Sequence, residues 1–452
     1  MSAGRFDNFS AHNPIVFDVG SHSIRFGYCE SNSPNSDIPA VIGSLLDGTE
    51  STARNDRIKE DLTYYVDTNT LCVPREGMEL KNIMNKGMIE DWDAFEYLMD
   101  YAYSKCLFTN SEHHPVLFTE TPSNLKQKRE KLLELMFEKY NVPGIIICKN
   151  AAAVAFSCSI PTGVIVDSGA THTSVIPIHQ GYVMCNAIVS TSMGGDYMLN
   201  RCDEYFHKNK IDVIPHYLVA KKQRVKPREV PIWSMKNTFP KVTDSWHNYM
   251  RKSVFEDFQH TVLEVSEKPL DNDVLLNYPT RHYEFPNGYN QKFGDERFKI
   301  PEILFYPDNE HKTWLGLCQL IHLSVSMCKR NLRNVLYDNI ILTGGNSLIK
   351  GFARRLYCDI ATDLKHTRFK LTAPVNSINR RFGAWIGGSL LAITDKFNHL
   401  WLSSSDYHES GTDQINVNYR YIENSFNGPL NNGHVQIMDN FLGKRTFLIT
   451  YL

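Results

Sequence analysis

The chain twice runs from three apolar residues into an Asp-x-Gly turn and then into a second extended stretch. The two copies occupy residues 14–21 and 163–170. Apolar triplets of this kind predict buried strands, and the glycine permits a tight turn whose amides stay exposed. Each Asp lies at the tip of its strand and faces whatever the turn holds. The pair therefore predicts two phosphate-binding hairpins that face each other across one nucleotide.

Strand and helix patterns alternate along the segment between the two hairpins. Apolar residues at helical spacing predict helices over 92–106 and 125–140, and residues 114–119 predict a strand between them. The second helix should end at residues 142–144, where a proline and a glycine follow each other. This alternation predicts an α/β fold.

Two later segments place small residues where backbones must approach closely. Residues 339–347 form an apolar strand that enters a Gly344-Gly345 turn, which predicts a third ligand loop, although a glycine pair alone is more often a plain turn. Residues 381–392 gather glycine, alanine and serine around Trp385, which predicts a helix at a domain interface.

The composition limits the class of protein. The chain has 452 residues and 42% hydrophobic content, enough for two or three domains with sizeable cores. With 48 basic and 50 acidic residues the formal net charge is -2, so no global field draws the chain to nucleic acid or to anionic membrane. No apolar run approaches the roughly 20 residues of a membrane span. We therefore expect a globular, intracellular protein with no membrane contact.

The 10 cysteines are scattered along the chain. They include no Cys-x-x-Cys pair, and we find no Cys/His spacing of the kind that ligates zinc. We expect reduced thiols that are mostly buried.

A basic segment, residues 221–241, carries seven basic residues and one acid, while three prolines prevent a long helix. It predicts a surface insertion. A solvated loop is the simpler interpretation, and contact with DNA, a histone tail or an acidic partner is the alternative. The interleaved Trp233 and Phe239 favour a docked segment. Two other stretches lack regular periodicity: residues 47–61 predict an exposed loop, and the asparagine-rich residues 412–452 predict a poorly ordered tail.

Together the two Asp-x-Gly turns and the Gly344-Gly345 loop resemble the ATPase superfamily of actin, hexokinase and the heat-shock chaperones. Over about residues 14–411 the chain then resembles actin itself. The runs that carry this likeness are 114–122, 129–131, 136–138, 297–302 and 385–389. Within the actin-related proteins it is most similar to the nuclear actin-like subunits of SWI/SNF-type remodelling and histone acetyltransferase complexes. The runs that carry this narrower likeness are 64–69, 167–173, 245–250 and 282–290.

The resemblance implies an actin/hexokinase-like ATPase fold, with two similar α/β domains around a nucleotide cleft. A small domain would comprise residues 1–157 and 382–411. A large domain would comprise residues 158–381, with the basic insertion near 210–250, and residues 412–452 would form a divergent tail.

The resemblance also implies ATP or ADP with Mg²⁺ as the ligand. Asp18 and Asp167 match the two carboxylates that hold the hydrated magnesium through water. His22 stands where actin has a glycine and narrows the first phosphate loop. The residues that match nucleotide contacts are Gly20, Ser21, Arg25, Gly169, Gly344, Gly345 and Arg381.

Hydrolysis requires further groups that orient and deprotonate the attacking water. Asn150 aligns with the water-positioning Gln of actin but is one methylene shorter, and Ser174 aligns with the catalytic His. Ala170 falls where actin has a phosphate-loop Asp, and His172 could replace the missing imidazole only if the loop shifted. Nucleoside contacts look weaker too, at the positions of Gln259, His260 and Ile349. We therefore expect no catalytic residues and a nucleotide-binding pseudo-ATPase; an empty structural cleft and an active ATPase are the alternatives.

Partner contacts follow from the same resemblance. Phe156, Tyr182 and Leu391 would keep apolar groups in the groove where actin receives helices. The implied partners are an actin monomer, the helix that precedes a remodeller ATPase core, and other chromatin-complex subunits in the nucleus. Residues 47–61 show little likeness to the filament loop of actin, so we expect no homopolymer. A cytoskeletal actin-related ATPase is the alternative function, and a small-molecule kinase is a more distant one.

Overall fold

Two mixed sheets with helices around them form the framework of the protein. The computed structural model describes residues 12–46, 62–270, 278–307, 314–365, 367–410 and 448–451. The predicted loop at 47–61 and most of the predicted tail lie outside these residues.

The strands of the described chain are, in order, β1 Ile15–Val19, β2 Ser23–Tyr28, β3 Ser36–Pro39, β4 Val41–Leu46, β5 Leu62–Tyr65, β6 Glu79–Asn82, β7 Met84–Asn85, β8 Met88–Ile89, β9 Val116–Glu120, β10 Gly144–Lys149, β11 Gly163–Ser168, β12 Thr173–His179, β13 Tyr182–Val183, β14 Val189–Thr191, β15 Val219–Lys222, β16 Trp233–Met235, β17 Arg281–Glu284, β18 Asn290–Phe293, β19 Ile340–Thr343, β20 Leu371–Pro374, β21 Leu402–Ser403 and β22 Leu448–Tyr451. The α-helices are α1 Thr68–Leu71, α2 Trp92–Tyr101, α3 Lys126–Glu134, α4 Asn150–Ser157, α5 Gly195–Lys208, α6 Asp244–Val262, α7 Glu296–Glu302, α8 Leu317–Met327, α9 Arg333–Tyr337, α10 Phe352–Asp363, α11 Ser377–Arg381, α12 Gly383–Ala392 and α13 Ser404–Ser410.

The two large sheets follow the same plan. The first has the order β21-β10-β9-β1-β2-β3, and the second has the order β13-β12-β11-β19-β20-β22 with β14 beside β12. In each sheet an Asp-x-Gly hairpin, β1–β2 or β11–β12, is antiparallel, and its first strand then pairs in parallel with β9 or β19. The central strands are buried along nearly their whole length, as parallel strands covered on both faces are. The duplicated α/β architecture confirms the predicted fold class.

Most of the predicted secondary structure is present. The apolar spacing of 92–106 forms α2, which a π-helical turn over Ala102–Leu107 extends. The spacing of 125–140 forms α3 with a second π-helical turn over Leu135–Lys139. Asp91 caps α2 by accepting the Ala94 N–H at 3.1 Å, as the acidic residues at its start suggest.

The glycine-rich segment at 381–392 forms α12, which crosses α4 at very short range. A Cβ on Gly387 would lie 1.7 Å from the carbonyl oxygen of Ala153, so only glycine fits there. Trp385 is fully buried and donates its indole N–H to the Val16 carbonyl at 3.2 Å. The segment therefore joins α4 to the first sheet, in agreement with the close approach predicted for it.

The basic segment forms the hairpin of β15 and β16, and its seven basic residues are all exposed. Tyr217 lies edge-on to Phe239 and to the buried Trp246 of α6, with ring centroids 5.7 and 4.6 Å apart. This aromatic contact docks the hairpin base on α6, as the interleaved aromatic residues suggest. Residues 244–250, which we had included in the insertion, form the start of α6, and among them Trp246 is fully buried.

One strand of the second sheet comes from the predicted tail. Within the predicted tail, β22 pairs antiparallel with β20, so these four residues form an edge strand of the second sheet. In the described part of the chain no helix is both long enough and apolar enough to cross a membrane.

Candidate functional site

The two sheets place their Asp-x-Gly turns on opposite walls of one cleft, which encloses a cavity of about 860 Å³. This volume is in the range of small-molecule and cofactor sites. Of the residues predicted to bind nucleotide or metal, those that line the cavity are Asp18, Gly20, Ser21, Arg25, Asp167, Gly169, Gly344, Gly345 and Arg381.

The first turn is held by its own backbone and by a neighbouring loop. The Gly20 N–H donates to the Ser23 carbonyl at 3.2 Å, and a Cβ on Gly20 would lie 2.9 Å from that oxygen. Ser21 Oγ accepts the Gly87 N–H at 2.8 Å and lies 3.4 Å from Thr171 Oγ1 of the second turn. The two hairpins thus touch at the mouth of the cleft.

The second turn sits against the start of α5. The Gly195 and Asp196 amides donate to the carbonyls of Gly169 and Ala170 at 3.0 and 2.8 Å. A Cβ on Gly194 would meet the Ala170 carbonyl at 2.4 Å. Close contact with the helix therefore fixes the shape of this turn, a support that the sequence pattern had not suggested.

The third loop packs on the second hairpin, as a ligand loop would. Gly344 has a φ of +92°, and a Cβ there would lie 2.6 Å from Asp167 Oδ1. Gly345 faces open space on its Cβ side. Asn346 Nδ2 donates to the Gly169 carbonyl at 2.7 Å and joins the two loops. A short 3-10 helix over Gly345–Leu348 follows the glycine pair, and α10 begins only at Phe352.

The two carboxylates have different surroundings. Asp18 Oδ1 accepts the Thr119 hydroxyl at 2.6 Å, and its Oδ2 lies 3.0 Å from Arg25 Nη1. Burial raises the pKa of Asp167, and the nearby Asp18 adds to that effect, while His172 and Arg25 act against it. A cation between the two carboxylates would offset the cost of burying the Asp167 charge and its repulsion by Asp18. The chemistry of the pair therefore fits a hydrated magnesium ion.

Arg25 is held by two carboxylates rather than left open to a phosphate. Its Nε lies 3.3 Å from Asp37 Oδ1, and Asp37 Oδ2 accepts Arg381 Nη2 at 2.6 Å. Burial would lower the pKa of Arg25, but Asp18 and Asp37 outweigh it and raise the pKa. Asp37 was not identified from sequence, because only the pairing of β2 with β3 brings it opposite Arg25.

His22, which the sequence predicts to narrow the first loop, lies at the cavity. About half (48%) of its side chain is exposed. The loss of solvent within the cleft and the charges of Lys252 and Arg25 lower its pKa to about 4. The imidazole is therefore neutral near pH 7.

The positions expected to serve hydrolysis differ from one another in the structure. Asn150 lines the cavity as the first residue of α4, and its Oδ1 accepts the Ala151 N–H at 2.7 Å. Ser174 pairs across the ladder with Asp167, but it is buried and does not line the cavity. His172 does line the cavity, with Nδ1 2.9 Å from Thr171 Oγ1. The imidazole of the second turn therefore lies at the cavity, and the loop shift expected for a catalytic role stays a prediction.

Gln259, His260 and Ile349 line the same cavity as the two turns. Gln259 and Ile349 are largely buried.

The three residues predicted for the partner groove do not behave alike. Phe156 is half-buried, with its ring 5.5 Å from that of Phe397, and Tyr182 is half-buried in β13. Leu391 is only 1% exposed and belongs to the core around Trp385 and Trp401. Its assignment to a partner-binding surface is corrected accordingly: because α12 packs closely on α4 and the first sheet, Leu391 is a core residue.

The two sheets and the cleft between their turns define an α/β protein of the actin type. The model of the actin family matches residues 10–420, and the chain belongs to the actin family. It is similar to actin-related protein 4 of Arabidopsis thaliana, with 31% identity over 431 residues that cover 89% of this chain and 97% of that protein. It is also similar to actin-related protein 4 of Oryza sativa subsp. indica, with 32% identity over 433 residues, 89% of this chain and 97% of that protein. A third relative is the SWI/SNF and RSC complexes subunit arp42 of Schizosaccharomyces pombe, with 31% identity over 426 residues, 88% of this chain and 96% of that protein.

Proposed function

We propose that this protein is a non-filamentous, nuclear actin-related scaffold subunit of chromatin-remodelling and histone-modifying complexes. In this proposal it binds ATP or ADP with Mg²⁺ and hydrolyses it little or not at all. The single observation that carries the assignment is full-length similarity to relatives that include a SWI/SNF and RSC complexes subunit.

The cleft supports nucleotide binding. Three glycine-containing loops line one cavity, and the carboxylates of Asp18 and Asp167 line it too, which supports the proposal. Asp18 and Asp167 would hold the hydrated Mg²⁺ through water. Gly20, Gly169 and Gly345 would present backbone amides to phosphate, and Arg25 would contribute a forked cation.

The same cleft supports weak turnover. The side-chain carbonyl of Asn150 accepts the N–H of Ala151 in its own helix, and Ser174 does not line the cavity, so neither is set up as a water-positioning amide or an imidazole base would be. His172 lies at the cleft but contacts Thr171. Positioning within about 3 Å of the reacting atom is what catalysis requires, so a pseudo-ATPase follows.

Partner binding would use two surfaces. The half-buried Phe156 and Tyr182 fit the apolar face of a helix from a remodeller ATPase, which would bind this protein beside an actin monomer. The exposed basic hairpin at 221–241 would contact histones, DNA or an acidic subunit.

Affinity purification of the tagged full-length protein from nuclear extract tests the assignment. We expect actin, a remodeller ATPase and other chromatin subunits to co-purify in stable proportion. A Phe156→Asp variant should lose the ATPase subunit, whereas Phe108→Asp, at a side chain that is 80% exposed elsewhere on the first domain, should retain it. Recovery of filaments of this chain alone, pelleted under polymerising salt, would instead support the cytoskeletal alternative.

The nucleotide part of the proposal has its own test. Denaturing the purified protein and analysing the released small molecules should give close to one adenine nucleotide per chain. Phosphate release measured with excess Mg-ATP should remain near background. An actin-like rate of release would overturn the pseudo-ATPase assignment and leave the scaffold assignment unaffected.

A further inference from the structure

Outside the cleft, three side chains with metal-binding atoms converge between two helices of the second domain. Cys318 and His322 lie one turn apart on α8, and Asp363 is the last residue of α10. Among the described residues, they form a group in which all three ligand atoms lie within 4.8 Å of one another. The prediction that no cysteine has a histidine at ligand spacing is wrong here, because residues i and i+4 share one face of a helix.

The three distances match the edges of a zinc tetrahedron. Bond lengths of about 2.3 Å to sulfur and about 2.0 Å to nitrogen and oxygen imply tetrahedral edges of about 3.5 Å for the pairs with sulfur and about 3.3 Å for nitrogen to oxygen. Cys318 Sγ lies 3.5 Å from His322 Nε2 and 3.2 Å from Asp363 Oδ2. His322 Nε2 lies 3.5 Å from Asp363 Oδ2. A metal would therefore require only small shifts of side chains that already surround one point.

A fourth residue orients the histidine. The hydroxyl of Tyr337 lies 2.9 Å from His322 Nδ1, on the side of the ring away from the cysteine. Histidines that bind metals almost always engage their second nitrogen in such a hydrogen bond, which fixes the ring and leaves the first nitrogen for the metal. This contact is independent of the three ligand atoms and points to the same site.

Exposure and charge are also suitable. Cys318 is 7% exposed, whereas about half (51%) of the Asp363 side chain is exposed, so an ion could enter from the carboxylate side. The neighbouring Asp359 is paired with Arg355, whose Nε lies 2.9 Å from its Oδ1. Asp363 is thus the carboxylate of this helix end that remains available to an ion.

We propose that Cys318, His322 and Asp363 form a site for Zn²⁺ or a similar borderline-soft divalent cation, oriented by Tyr337 and open to water in the fourth position. Thiolate and imidazole select zinc over magnesium, so the site does not compete with Asp18 and Asp167 for their ion. On binding, the thiol releases its proton to solvent and the sulfur–metal bond forms in its place, with no change in oxidation state. The ion would join α8 to α10 directly.

Cobalt substitution tests the site. Full-length protein without a tag is treated with chelator, returned to buffer with excess Mg²⁺, and titrated with Co²⁺. We expect a sulfur-to-cobalt charge-transfer band that saturates at one equivalent per chain and that Zn²⁺ abolishes. We also expect Zn²⁺ to raise the melting temperature. A wild-type protein with no such band overturns the proposal, and this result does not depend on the folding of any variant.

Variants separate this site from the other nine cysteines. Cys318→Ser should lose the band, and Tyr337→Phe should keep it with a metal affinity lowered about 10- to 100-fold. Cys358→Ser is the matched control, since Cys358 is a half-buried cysteine on the same helix as Asp363, and it should change neither the band nor the affinity. Cobalt binding by Cys318→Ser equal to wild type, with the band retained, would show that the metal binds elsewhere. Thermal melts without metal would verify that each variant is folded.

Discussion

Arg25 Nη1 lies 3.0 Å from Asp18 Oδ2, so the cation expected to hold phosphate is paired with a carboxylate expected to serve magnesium. Asp37 holds the other side of the guanidinium and also pairs with Arg381. These two carboxylates and two guanidinium groups are therefore already paired with one another before any ligand enters. A nucleotide with its metal would replace the Asp18–Arg25 pair by two separate pairs, metal with carboxylate and guanidinium with phosphate.

We expect Arg25→Gln to weaken nucleotide binding about 10- to 100-fold, because a hydrogen bond to a charged group contributes about 1.5–3 kcal/mol. Arg25→Lys should recover part of this loss, since a lysine supplies the charge but not the fork that reaches both Asp18 and Asp37. Titration calorimetry with Mg-ATP measures both effects. Lys81→Gln, which removes an exposed pair with Asp91, should leave the affinity unchanged. Equal affinities of Arg25→Gln and wild type would mean that this guanidinium stays with its carboxylates.

The two carboxylates should respond oppositely to neutralisation in metal-free protein. Asp167→Asn should raise the melting temperature, because burial and the neighbouring Asp18 disfavour its charge and raise its pKa. Asp18→Asn should lower the free energy of unfolding by about 1.5–3 kcal/mol, because its charge is paired with Arg25. Melts in chelator show this contrast, and melts with Mg-ATP should show a smaller ligand shift for both variants. A lower melting temperature for both variants without metal would contradict the inference that the charge of Asp167 is disfavoured in the folded protein.

The turn residues of the cleft could be predicted because each depends on a local pattern of apolar strand, Asp and Gly. Groups that meet through tertiary pairing could not. Asp37 reaches Arg25 only because β3 pairs with β2, and Asp363 reaches Cys318 across 45 residues of chain. Ser174 shows another limit: the resemblance aligned it with the catalytic His of actin, but only the structure shows that it pairs with Asp167 in the ladder and does not line the cavity.

We expect Gly387→Ala to destabilise the protein by about 1–3 kcal/mol or more, because the new Cβ would overlap the Ala153 carbonyl, which belongs to the backbone and cannot rotate away. Gly383→Ala is the matched control on the same helix, since its Cβ would meet side chains no closer than 3.6 Å. Denaturant unfolding measures both variants. Equal stabilities would show that α4 and α12 can separate at no cost.

The buried Glu120 should be a major source of acid sensitivity. Its carboxylate accepts Arg129 Nη2 at 2.7 Å and Lys149 Nζ at 2.6 Å, and all three side chains are nearly inaccessible. Glu120→Gln should cost about 3–5 kcal/mol at pH 7, because it leaves two buried cations with reduced compensation. Glu90→Gln, at an exposed carboxylate paired with Lys128, should cost about 0–1 kcal/mol.

The pH dependence of this difference has a defined sign. Burial would raise the pKa of Glu120, but Lys149 and Arg129 outweigh it, so the pKa lies below its ordinary value. The contribution of Glu120 is therefore complete above the pKa of an unfolded Glu, about 4.3, and is lost as the pH falls through the lower folded value. Denaturant unfolding of wild type and Glu120→Gln from pH 7 to pH 3 should show their stabilities converging below about pH 4. A constant difference in stability between wild type and Glu120→Gln across this pH range would contradict the role given to Glu120 and its two cations.

His172 and Ser174 provide the sharpest comparison within the second turn. His172→Ala should weaken Mg-nucleotide binding about 3- to 10-fold, because it removes a ring that lines the cavity and a hydrogen bond to Thr171 that contributes about 1 kcal/mol. Ser174→Ala should change neither affinity nor phosphate release, because the Ser174 side chain does not line the cavity. Fluorescent-nucleotide titration and a single-turnover phosphate assay on wild type and both variants measure these effects. Loss of phosphate release in Ser174→Ala, but not in His172→Ala, would indicate that the attacking water lies beside β12 rather than beside the second turn. That result would support the active-ATPase alternative.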